Sequence, residues 1–115
     1  MIKRAIIASA IAVVGLPLLA TSAHADPKPN IILGTPGDDN LVGTKKADLI
    51  VGFHGNDTLT GGRKSDALLG GYGDDTLLAA GKHSGTDLVR GGPGNDTCIV
   101  DSTDKTIGCE TIIIR

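Results

Sequence analysis

Large side chains are close to absent from this sequence. It has no tryptophan, one methionine, and Phe53 and Tyr72 as its only aromatics. A chain this poor in bulk cannot fill an ordinary two-layer core, so it needs an architecture that buries one modest residue per turn. Basic charge is scarce too. Setting aside Lys3 and Arg4, nine basic residues face 13 acidic ones, which argues against nucleic acid as a partner. No nucleophile stands with a base, and neither a zinc site nor a phosphate loop is present, so no enzyme is expected. Beyond Leu19 no apolar run reaches the length of a membrane span.

Glycine is what the chain has instead, 17 of 115 residues, and it is periodic. A nine-residue phrase opens on glycine at 34, 43, 52, 61, 70 and 91 and carries aspartate in its sixth place, at Asp39, Asp48, Asp57, Asp66, Asp75 and Asp96. Its eighth place is apolar, at Leu41, Ile50, Leu59, Leu68, Leu77 and Cys98. Between Ala79 and Arg90 three extra residues delay a seventh copy before Asp87 and Val89 restore it. Such a period decides the architecture before any single residue is weighed.

The chain divides into four segments. Residues 1–25 read as a secretory signal peptide, with Lys3 and Arg4 ahead of an apolar stretch and Ala23, His24 and Ala25 forming the cleavage pattern; a membrane anchor is the rival reading. Residues 26–33 are a proline-bearing linker followed by a first strand at Ile31, Ile32 and Leu33. Residues 34–99 are the repeats, and 100–115 a C-terminal cap. Each repeat splits into a six-residue turn and a three-residue strand whose middle side chain points inward. Two repeats make one coil, and the expected fold is all-β, a flattened parallel β-helix of two sheets.

Turns then fall alternately on two edges. The odd turns, 34–39, 52–57, 70–75 and 91–96, all keep glycine in place four. The complete even turns, 43–48 and 61–66, carry Lys46 and Lys64 there, beside Lys45 and Arg63. With Lys82 and His83 these form a basic ladder, either a solvated edge or a dock for cell-wall or glycan polyanions. Outward residues after even turns are Leu49, Val51, Ala67, Leu69 and Leu88; after odd turns they are Asn40, Thr58, Thr60, Thr76 and Thr97. One face should be greasy and the other threonine-lined. The greasy face could make a homo-oligomer or hold a protein partner.

The phrase G-G-x-G-x-D-x-apolar-x resembles the repeats-in-toxin, or haemolysin-type, calcium-binding nonapeptide, and the resemblance covers residues 34–99. It implies a parallel β-roll with Ca²⁺ between neighbouring turns of one edge. One turn would offer the carbonyls of places two and four with its aspartate, and the next those of places one and three with its own. Carried over, a first site uses Thr35, Gly37, Asp39, Gly52, His54 and Asp57. A second uses Phe53, Gly55, Asp57, Gly70, Tyr72 and Asp75, and a third Gly71, Gly73, Asp75, Gly91, Pro93 and Asp96. The chemistry suits a cation that takes about six to eight oxygens. Aspartates stacked at roughly 4.8 Å would repel by about 3 kcal/mol at an effective dielectric of about 20 unless a cation lay between them. About three ions are expected, all on the odd edge. A metal-free β-helix whose aspartates only shape the turns is the competing reading.

Two cysteines eleven apart in an exported chain are expected to pair, Cys98 with Cys109, pinning the cap; free thiols are the alternative. The function expected is that of a secreted, stand-alone calcium-binding β-roll, structural or buffering. An adhesin-like module is the alternative.

Overall fold

The computed structural model describes residues 28–81 and 85–115; the leader reading at 1–25, and Lys82 and His83 of the basic ladder, lie outside the described residues. Strands follow the period. They are β1 (Asn30–Leu33), β2 (Asn40–Val42), β3 (Asp48–His54), β4 (Thr58–Thr60), β5 (Ala67–Tyr72), β6 (Thr76–Leu78), β7 (Leu88–Arg90), β8 (Thr97–Val100), β9 (Lys105–Ile107) and β10 (Thr111–Ile114). Odd strands form one five-stranded sheet and even strands the other, each in chain order and all parallel. Successive strands therefore belong to opposite sheets. The result is a two-sheet β-solenoid of about five coils, with no helix among the described residues.

Alternation along these short strands puts one side chain per strand inside. Ile50, Leu59, Leu68, Leu77, Val89 and Cys98 are fully buried, with Ala79 and Val100 joining them, and Ile32 and Leu41 close the N-terminal end. This single file of medium-sized residues needs no aromatic, which is why so lean a composition suffices. Register holds the file straight: Ile50 pairs with Leu68, Leu59 with Leu77 and Leu77 with Cys98.

The cap is more than a plug. Lys105–Ile107 and Thr111–Ile114 extend the two sheets by one more coil, pairing with β7 and β8. The Cys98–Cys109 disulfide, with Cα atoms 5.9 Å apart, fastens that coil to the core. Ile112 takes the inward register opposite Cys98, yet it is 49% exposed because nothing among the described residues stacks beyond it.

The two outer faces differ less than the pattern implied. The first sheet does present Ile31, Leu33, Leu49, Val51, Leu69 and Leu88. On the second, Thr58, Thr76, Thr97 and Thr111 stack in one column behind Asn40, but the adjacent column reads Val42, Thr60, Leu78, Ile99 and Ile113. That face is half apolar. After odd turns the pattern reading took Thr60 from place nine but left out Val42, Leu78 and Ile99, which share that outward column.

Phe53 stands where later odd turns have glycine, and it adopts φ 80°, a region that costs an L-residue roughly 1–2 kcal/mol. F53G should therefore raise stability in saturating calcium by about 1 kcal/mol. Chemical denaturation is the check. A loss instead would mean that the half-exposed ring packs more favourably than its backbone is strained.

Candidate metal centre

Aspartate in place six ends each turn with its side chain turned into the stack. Asp48, Asp57, Asp66, Asp75, Asp87 and Asp96 are all at most 3% exposed. Each carboxylate tied to the preceding coil is held the same way. Asp57 Oδ1 accepts the N–H of Asp39 at 2.8 Å, Asp75 Oδ1 that of Asp57 at 2.8 Å and Asp96 Oδ1 that of Asp75 at 2.9 Å. The even edge repeats this from Asp48 to Asp66 and from Asp66 to Asp87. One carboxylate oxygen thus braces the backbone. The other, Oδ2 of Asp57, Asp75 and Asp96, is buried with no hydrogen-bond partner.

Such an orphaned carboxylate oxygen is costly unless something positive meets it. What surrounds these atoms is more oxygen. In the layer between turns 70–75 and 91–96, the carbonyls of Gly71 and Gly73 crowd the positions where side chains on Gly92 and Gly94 would begin. Those of Gly91 and Pro93 face back, accepting from Gly71 and Gly73 at 2.9 and 3.1 Å. Four carbonyls thus enter one layer with Asp75 and Asp96, which is the third predicted set brought together.

One coil earlier, the carbonyls of Phe53 and Gly55 point at Gly71 and Gly73, while the Gly70 carbonyl and Asp57 Oδ2 both stand where a Cβ on Gly52 would be. That unites most of the second set. Glycine at 73 is forced twice over, by φ 120° and by the Gly55 carbonyl in its Cβ position. His54 and Tyr72 turn their rings outward and stack at 5.0 Å, leaving only their backbone for the layer.

The first set is built differently. Asp39 Oδ2 takes the Thr35 N–H at 2.6 Å and the Thr35 hydroxyl at 3.0 Å, so this carboxylate is already satisfied locally. Neither Thr35 nor Gly37 has positive φ, although the Gly37 and Gly52 carbonyls do reach into the layer. Thr44 closes the first even turn on Asp48 in the same way. On the other even turn Gly62 and Lys64 take φ 113° and 72°, the backbone shape of an odd turn, despite lysine in place four.

Two features escaped the sequence reading. Place five of the odd turns forms an outer ladder: Asn56 N–H donates to Asp38 at 2.7 Å, Asp74 to Asn56 at 2.9 Å and Asn95 to Asp74 at 3.0 Å. Its signal was the strict alternation Asp38, Asn56, Asp74, Asn95, which never stacks two charges directly. The other feature is Glu110, whose Oε2 accepts the Asp96 N–H at 2.9 Å as a further rung.

Electrostatics follow from crowding. Burial, and behind it the charges of Asp96, Asp57 and Asp74, push the Asp75 carboxyl up to about 6, although the Asp57 N–H pulls the other way. Asp57 is raised by burial first and then by Asp39 and Asp38, and Asp96 by burial first and then by Glu110 and Asp74. No group of three or more His, Cys, Asp or Glu side chains gathers among the described residues. The centre is instead two carboxylates and a set of carbonyls per layer, a donor set that fits a hard divalent cation.

The family comparison agrees with that chemistry. A family model for the RTX calcium-binding nonapeptide repeat matches residues 33–68, 53–81 and 83–100, together more than half of the chain. No curated protein and no solved structure matches. By its repeats, its two-sheet coil and its aspartate ladder, the chain belongs to the RTX calcium-binding nonapeptide repeat family.

Proposed function

We propose that this protein is an exported calcium-binding β-roll that becomes ordered as Ca²⁺ enters the layers between successive odd turns. The observation that carries the reading is the buried, partnerless Oδ2 of Asp57, Asp75 and Asp96, each set among carbonyl oxygens. The ligand sets are those given above: the layer of Asp75 and Asp96, the layer of Asp57 and Asp75, and the layer of Asp39 and Asp57. Proteins with such repeats are typically secreted, and no helix among the described residues is long and apolar enough to cross a membrane. The role is structural or buffering in the extracellular space, that of a binding module and not a catalyst.

Calorimetric titration, with bound ions counted by native mass spectrometry, tests this. About three ions are expected on the odd edge. Five or more would overturn the restriction to that edge, and none would overturn the reading itself. The titration should also depend on pH with a fixed sign. In the folded, metal-free coil Asp75 would keep its proton up to about pH 6, whereas in the disordered chain that calcium meets it is an ordinary carboxyl. Affinity should therefore stay level down to about pH 4 and fall by about tenfold per pH unit for each proton displaced only below it. Without metal the sign reverses. A carboxyl whose folded pKa is raised stabilises the fold at low pH, and that contribution is lost as pH rises toward 6.

A second reading, an adhesin-like module, draws on the exposed Lys45, Lys46, Arg63 and Lys64 of the even edge and on the apolar face of the first sheet. Retention on anionic cell-wall polymer in calcium and release by chelator would favour it.

A further inference from the structure

The last turn of the coil, residues 108–110, lies outside the matched repeats and is only three residues long. Register nevertheless sets Gly108 opposite Gly91 and Glu110 opposite Asp96, since Ile107 pairs with Arg90 and Thr111 with Thr97. Glu110 makes the bond that the aspartates make elsewhere, accepting the Asp96 N–H at 2.9 Å. The Gly108 carbonyl faces back and takes the Gly92 N–H at 3.3 Å. It stands with Asp96 Oδ2 in the space a Cβ on Gly91 would fill, as the Gly70 carbonyl and Asp57 Oδ2 do at Gly52. Asp96 is 0% exposed, and its Oδ2 has no hydrogen-bond partner.

We propose that Asp96, Glu110 and the Gly108 carbonyl hold a further divalent cation at the C-terminal end of the odd edge. The inference rests on the calcium reading of that edge. The shortened turn requires a glutamate, whose extra methylene spans what the missing residues would have covered. The bond from Cys109 to Cys98 fixes the turn against the core, so the carboxylate stays in place without a repeat on its far side. Lacking the place-three carbonyl of a full turn, the site leaves more of the ion's shell to water and binds more weakly than the inner layers.

Calcium counted on the intact chain by native mass spectrometry, over a range of free calcium, tests the site. E110Q keeps an oxygen for the Asp96 N–H and loses the charge, so it should bind one ion fewer than the unmodified chain with its circular dichroism unchanged. Reducing Cys98–Cys109 in saturating calcium should remove the same single ion and leave the others. A full count in either arm overturns the site. If the unmodified chain binds no calcium at all, the reading of the whole odd edge fails, a result distinct from losing this one ion.

Discussion

In excess chelator the β-sheet circular dichroism of this chain should collapse to that of a disordered polypeptide, and adding calcium should restore it. Two facts make the expected effect large. The core is a single file with about one inward residue in nine, so hydrophobic burial per residue falls below what fixing the backbone costs. The carboxylates of Asp57, Asp75 and Asp96 are also buried against one another, which destabilises the coil at neutral pH unless a cation lies between them. Calcium reverses the second term and adds its binding energy to folding. Identical β spectra before and after exhaustive chelation would show that the file of leucines holds alone, with the aspartates serving only as turn braces.

The second large effect is expected at Asp75. Its carboxylate belongs to two layers, shared with Asp57 on one side and Asp96 on the other. D75N keeps an oxygen for the Asp57 N–H but removes the charge from both layers. The calcium midpoint of folding should rise at least 100-fold, about 2.7 kcal/mol, with two ions lost from the count. D39N is the control. Asp39 serves one layer and is already engaged by Thr35, so its midpoint should move less than about tenfold, about 1.4 kcal/mol. Equal shifts for the two variants would argue against ions placed between successive aspartates.

Much of this is legible in the sequence. The period announced two sheets, because a strand every nine residues that must bury its middle side chain leaves few other arrangements. The inward file, the first strand at Ile31 to Leu33 and the pairing of Cys98 with Cys109 all followed. What was missed lies where period and physics part. Lysine in place four looked incompatible with an odd-type turn, yet Lys64 takes φ 72°, because stacking on the neighbouring coil outweighs a preference of roughly 1–2 kcal/mol. Glu110 was hidden because three absent residues break the count of nine. The side chains of Thr35 and Thr44 were given no part, yet their hydroxyls and amides satisfy the first carboxylate on each edge, where no earlier turn exists to do so.

The rungs connect residues 18 apart in the regular coils, 21 apart across the insertion that precedes Asp87, and 17 and 14 apart at the C-terminal end. In every case a carboxylate oxygen still lands on the amide of the acidic residue one coil before. The architecture thus measures itself by contact and not by counting. Loops along its margins are free to lengthen or shorten over evolutionary time while the axis stays true.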